Sequence, residues 1–114
     1  MKKYAYEYYT GGKGNCAQAV TAAWQRKTAS KDSLIDQLAG CGHGKAPEGV
    51  CGALHAVNCI TDKETAKKLT AKFSQAAGGH KVCRDIRSAS VLKCSQCVEV
   101  AAELLDNHLD SQKP

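Results

Sequence analysis

Seven cysteines stand in this chain of 114 residues, and their positions relative to helix signals give them chemical meaning. Cys16 follows Gly14-Asn15, Cys51 follows Pro47-Glu48-Gly49-Val50, and Cys94 opens the last stretch of helical apolar spacing. Each is expected at or just inside a helix start. Unpaired backbone N–H groups and the positive end of the helix dipole favour thiolate over thiol there, which promotes both nucleophilic attack and metal ligation. Free cysteine is often only a small buried hydrophobe, but such a residue gains nothing from a helix start. Three placed this way point to a functional cysteine cluster.

The one close pair, Cys94-Ser95-Gln96-Cys97, fits dithiol exchange, half of a zinc site or part of an iron–sulfur site. Val98 stands where a c-type haem site needs histidine, and no strand-helix-strand context accompanies the pair as it does in thioredoxin-like proteins. A zinc finger would need a second close pair, or a Cys/His pair at finger spacing; Cys41-Gly42-His43 is too tight to be one. His43, His55, His80 and His108 are scattered. His55 lies one turn after Cys51 and could share its face, although a core or surface role suits it better. His108 suits the negative end of the last helix.

The elements that must position these groups are helical. Asn15 to about Ala29 is rich in alanine and free of glycine and proline, with Cys16, Ala19, Val20, Ala23 and Trp24 on one face and Asn15 as the cap. Tyr4 to Thr10 fits a short helix or an alternating strand, and helix is favoured by the company it keeps. Asp32 to Ala39 forms a short helix ended by Gly40. The loop Gly-Cys-Gly-His-Gly-Lys-Ala-Pro-Glu-Gly then lets backbone approach something closely. Val50 to Ile60 reads as a buried helix. Thr61-Asp62-Lys63-Glu64 reads as a capping box opening a helix to Ala77, which Gly78 and Gly79 end. A connection carrying Cys83 leads to the final helix, Cys94 to Leu109. The expectation is an all-α fold: one domain over residues 1–114, a small bundle of about five helices with a glycine-rich loop.

No apolar run reaches the ~20 residues of a membrane helix, and Tyr4, Tyr6, Glu7, Tyr8 and Tyr9 interrupt any leader-like start. The reading is a cytoplasmic protein without membrane insertion. In that compartment thiols stay open, and seven cannot pair completely. The net charge of +5 comes from dispersed lysines rather than a basic stripe with aromatics, which speaks against nucleic acid and suits an acidic redox partner.

Taken together, Gly14-Asn15-Cys16-Ala17-Gln18-Ala19-Val20, Gly49-Val50-Cys51-Gly52-Ala53-Leu54-His55-Ala56, Cys83-Arg84-Asp85 and Cys94-Ser95-Gln96-Cys97-Val98 resemble the C_GCAxxG_C_C family of redox-active proteins over nearly the whole chain. By that resemblance the four defining cysteines fall on Cys16, Cys51, Cys83 and Cys94. Cys83 rests on the resemblance alone. One departure is plain, because Ala56 replaces the glycine that closes the family's CGAxxG motif, so local packing there must tolerate a methyl group. Members are often associated with transport genes, and a similar domain occurs in split-Soret cytochromes, where an iron–sulfur centre accompanies haem. The resemblance therefore implies thiolates converging on a cluster, which iron–sulfur chemistry permits without one fixed spacing.

The leading expectation is an electron-transfer or redox-sensing module in which Cys16, Cys51, Cys83 and Cys94 bind an iron–sulfur cluster, with Cys41 and Cys97 as further candidate metal ligands. In a second reading no metal binds and the same four are redox-active thiols, a helix-start thiolate such as Cys16 or Cys51 attacking and a neighbour resolving. Enzymatic activity is left open. A structural zinc module and a non-redox or transporter-accessory binding protein are the remaining readings. Cys59 is expected in the core. A small helical protein with a surface site can form a homodimer, though no exposed apolar stripe compels it.

Overall fold

The computed structural model describes residues 1–29, 34–41, 46 and 49–111. Seven α-helices occur among them: α1 (Lys2–Thr10), α2 (Cys16–Thr28), α3 (Leu34–Gln37), α4 (Gly52–Ile60), α5 (Lys63–Ala76), α6 (Cys83–Ala89) and α7 (Cys94–Ser111). The all-α expectation holds, with seven helices rather than about five. The tyrosine-rich start is α1, and the connection expected around Cys83 is α6. Of the expected helix from Asp32 to Ala39, α3 covers Leu34–Gln37 and Leu38 and Ala39 are a turn, while Asp32 and Ser33 lie outside the described residues. So do Gly42 to Lys45, with His43, and Pro47-Glu48 of the glycine-rich loop.

Local chemistry sets the helix starts. Asn15 caps α2 reciprocally: its side-chain oxygen accepts from the Gln18 backbone N–H at 2.8 Å, while Gln18 Oε1 accepts from the Asn15 N–H at 3.0 Å. The same two side chains reach across to the next element. Asn15 Nδ2 donates to the carbonyls of Leu38 and Ala39, both at 2.9 Å, and Gln18 Nε2 donates to that of Ile35 at 3.0 Å. One capping box thus closes the helix that begins with Cys16 and moors the segment leading to Cys41. The cap of α5 is Asp62, which accepts from the Thr65 N–H at 2.7 Å. The box expected one residue earlier does not form, because the Thr61 hydroxyl donates back to the Val57 carbonyl at 2.8 Å and finishes α4 instead.

Helix α7 is the central post, packed against α1, α2, α4 and α5. Val20, Leu54, Val57, Phe73, Ile86, Val98 and Leu105 fill the core, and fully buried alanines at 17, 19, 53, 101 and 102 let helices approach closely. Lys27 ties the end of α2 to Asp106 and Asp110 of α7. The one residue pairing outside helices among the described residues is an antiparallel bridge between Val50 and Val82, with the Cys51 N–H donating to the Lys81 carbonyl at 2.9 Å. That short pairing sets the start of α4 beside the start of α6.

The tightest approach lies at Gly52. A Cβ there would stand 2.5 Å from Cys16 Sγ and 2.6 Å from the Cys41 carbonyl oxygen. Glycine is required by contact, since the first turn of α4 rests on the first turn of α2. Gly52→Ala should therefore cost about 1–3 kcal/mol, the range for an extra methyl group in a packed site, measured by urea unfolding. An unchanged midpoint would mean the two helix starts separate freely.

Candidate functional site

Cys16, Cys51, Cys83, Cys94 and Cys97 line one cavity, together with Tyr9, Ile86, Arg87 and Leu92. Each of the first four stands at the start of a different helix: Cys16 opens α2, Cys51 is the residue before α4, Cys83 opens α6 and Cys94 opens α7. Cys97 follows one turn into α7. The placement expected for Cys16, Cys51 and Cys94 is therefore shared by Cys83. Backbone devices account for it: the Asn15/Gln18 box for Cys16, the Val50–Val82 bridge for Cys51 and Cys83, and Gln96 Oε1 accepting from the Lys93 N–H at 2.8 Å for Cys94.

The cavity between the thiols is small, about 10 Å³, the space of roughly one water centre. Among the described residues no group of three His, Cys, Asp or Glu side chains is arranged to hold a metal ion. Cys16, Cys51, Cys83 and Cys97 are buried, while Cys94 is half-buried toward the mouth.

Helix starts should make these thiols more acidic, yet burial and crowding dominate. The hydrogen bond with Cys97 and burial hold Cys51 far above the ordinary thiol range, although the N–H groups of Leu54 and Ala53 beside its sulfur pull the other way. Burial, then Cys51 and Cys94, raise Cys83 despite the opposing Arg87 guanidinium. The physical reason is that several thiols in one apolar pocket cannot all ionise: each charge loses hydration and repels the next. The Tyr9 hydroxyl, bonded to Cys94, is pushed up to about 12 by burial, then by Cys94 and more weakly by Cys16 and Cys83. Among the described residues, Tyr9 and Arg87 are the hydrogen-bonding side chains other than cysteine around the cavity, and none of those lining it is a carboxylate.

The remaining candidates lie elsewhere. Cys41 does not line the cavity; its carbonyl rests near Gly52, and its thiol raises that of Cys59 after burial has done so. Cys59, expected in the core, is exposed and lies 3.5 Å from His55 Nε2. The pair are four residues apart on the face of α4 that turns from the cavity. His55 therefore meets Cys59 rather than the Cys51 group, and burial lowers its pKa. Ala56 is fully buried, so its methyl group is accommodated in place of glycine. Sequence reasoning missed Tyr9 and Arg87. Arg87 had a usable signal, four residues after Cys83 on one helix face, whereas Tyr9 had none. It arrives through the turn at Gly11 to Gly14, where Gly12 takes φ +73° and the Lys13 N–H donates to the Tyr8 carbonyl.

No helix among the described residues is long and apolar enough to cross a membrane. Comparison with known protein families, with curated proteins and with solved structures finds no match.

Two outcomes follow for the metal-free, reduced protein. Iodoacetamide should label Cys59 on the order of tenfold faster than Cys51 or Cys83 at neutral pH, since Cys59 is exposed and the other two are buried and only an accessible thiolate reacts; equal rates would show the buried thiols to be both accessible and ionised. Tyr9 has a folded-state pKa above its unfolded value of 10.0, so its contribution to stability is complete below pH 10 and is lost as pH rises toward about 12. A tyrosinate absorbance titration should show one late component near pH 12, absent in Tyr9→Phe. If Tyr9→Phe leaves the curve unchanged, Tyr9 is not held in this pocket.

Proposed function

We propose that this chain is a redox protein of the C_GCAxxG_C_C type, an electron-transfer or redox-sensing module whose Cys16, Cys51, Cys83 and Cys94 bind an iron–sulfur cluster. The observation that carries the reading is the gathering of four thiols from four separate helix starts on one cavity. Four thiolates are what such clusters take. The donor set fits in its chemistry: sulfur ligands, no lining carboxylate among the described residues, apolar walls from Ile86 and Leu92, and Tyr9 and Arg87 able to donate toward sulfur. In the present arrangement the thiols close on one another, so ligation asks their side chains to turn toward a common centre, at the expense of their protons. When bound, the cluster would supply one-electron chemistry. The protein's own residues would fix the sulfurs, keep water out and balance charge through helix N-termini.

A metal-free thiol–disulfide protein is the second reading, favoured by the hydrogen bond already joining Cys51 and Cys97. A shallow groove lined by Arg87, Ser90, Leu92, Lys93, Cys94 and Gln96 adjoins the mouth. Its two cations suit an acidic redox partner, and the open thiols suit a reducing, cytoplasmic setting.

Protein purified without oxygen, or reconstituted with ferrous iron and sulfide, should show broad visible absorption with matching iron and acid-labile sulfide. Serine at position 16, 51, 83 or 94 should lower both contents severalfold, whereas Cys59→Ser should leave them unchanged. Colourless, metal-free protein with thiols that oxidise reversibly would favour the second reading, and one bound zinc would reduce the site to a structural role.

A further inference from the structure

Cys97 is the fifth sulfur of a cavity for which the cluster reading needs four, and it is the cysteine that acts most strongly on Cys51. The two come from different helices that pack together, Cys51 from the start of α4 and Cys97 from the first turns of α7. Each is about 4 % exposed, both line the same cavity, and Cys97 is the side chain that acts most strongly on the Cys51 thiol. The Cys97 backbone is held as well, its N–H donating to the Lys93 carbonyl at 2.9 Å, and that of Cys51 is held by Lys81 at the same length.

We propose that Cys51 and Cys97 form a reversible disulfide, with a small hydroperoxide as the oxidising substrate. The inference rests on the cluster reading only in its consequence, that closing this bond takes Cys51 out of the ligand set, so that disulfide and cluster exclude one another. One sulfur of the pair attacks a peroxide oxygen. The O–O bond breaks, a sulfenic acid forms, and the other oxygen leaves as water with the thiol's proton. The second sulfur then displaces the sulfenic hydroxyl, which takes the remaining thiol proton and departs as a second water while the S–S bond closes. Two electrons pass from the thiol pair to hydrogen peroxide, and an external dithiol returns them. The buried, narrow setting restricts the oxidant by size, since the open space holds about one small molecule. It also favours the internal second step over further oxidation, because the second sulfur lines the same small cavity as the first.

The experiment treats reduced, metal-free full-length protein with stoichiometric hydrogen peroxide, blocks remaining thiols and maps cross-linked peptides by mass spectrometry. Fragment spectra must separate Cys97 from Cys94 and Cys51 from Cys59. The expected product is a Cys51–Cys97 bond as the dominant cross-link, lost at least tenfold in Cys97→Ser and in Cys97→Ala and reversed by dithiothreitol. Dominant pairing of Cys51 with Cys16, Cys83 or Cys94, or oxidation of Cys97 without a cross-link, would overturn the proposal. Iron and sulfide uptake by Cys97→Ser answers the separate question of the cluster. Uptake equal to wild type leaves Cys97 outside the ligand set. No uptake by wild type rejects the cluster while the peptide map still decides the disulfide, and loss of uptake in Cys97→Ser alone makes Cys97 a ligand and overturns its role as a spare thiol.

Discussion

The contact of α2 with α4 at Gly52 is the constraint on which the rest of this structure turns. Two helix starts ordinarily repel, since each presents the positive end of a dipole. Here they are pressed together so closely that one additional carbon would collide with Cys16 Sγ and the Cys41 carbonyl. The approach is possible because the residue at the crossing has no side chain and Ala17 and Ala53 flank it, and it is enforced from outside. The Asn15/Gln18 box grips the Leu38–Ala39 backbone on one flank, and the Val50–Val82 bridge grips the other. Electronegative sulfur between the two starts offsets part of the repulsion, so the cysteines are partners of the packing as well as its beneficiaries.

Geometry and acidity pull in opposite directions within the site. Helix N-termini lower a thiol's pKa, whereas an apolar, crowded pocket raises it, and the observed direction for Cys51 and Cys83 is upward. The winning effect is the one that grows with the number of sulfurs. A single thiol at a helix start sees the dipole; several sharing one cavity see chiefly each other. Cys51 and Cys83 are therefore held protonated until something displaces the protons, and a bound cation does so far more strongly than a helix dipole can. The same arrangement is expected to slow alkylation of the metal-free site and, under the proposed reading, would favour a group that brings its own positive charge.

Much of this was legible in the chain, and the losses have physical causes. Asn15 as a cap before an alanine-rich stretch announced α2 and hence the setting of Cys16, but the reciprocal bond of Gln18 went unread, and the further bonds of both side chains, to Ile35, Leu38 and Ala39, are tertiary and leave no local pattern. Cys51 was read just inside a helix beginning at Val50, whereas α4 begins at Gly52 with Cys51 before it, because Val50 is drawn into pairing with Val82. Helix α6 went unread since seven residues give too few turns for periodicity to emerge. Cys59 was assigned to the core from its apolar neighbours. Its position four residues after His55 puts both on the outer side of α4, where polar contact rather than burial decides its surroundings. Tyr9 depends on a glycine turn that swings α1 across the site, and only the folded chain reveals that.

The four helix starts differ in what holds them, and this difference bears on how the site assembles. Helices α2, α4 and α7 are anchored by extensive packing in the core. Helix α6, with Cys83, is too short to persist by itself; it is kept by Ile86 in the core, by the Val82 bridge and by whatever bonds its cysteine makes. A group bound through Cys83 would therefore do more for α6 than for any other element, because binding energy stabilises in proportion to what it alone holds together. A Cys51–Cys97 bond would join α4 to α7, which already pack together, and leave α6 without that help. Under the proposed reading the two chemical states of the site thus differ structurally at Cys83 and its short helix, beside the basic groove of Arg87 and Lys93. A partner docking at that groove would meet the element most sensitive to which state the sulfurs are in.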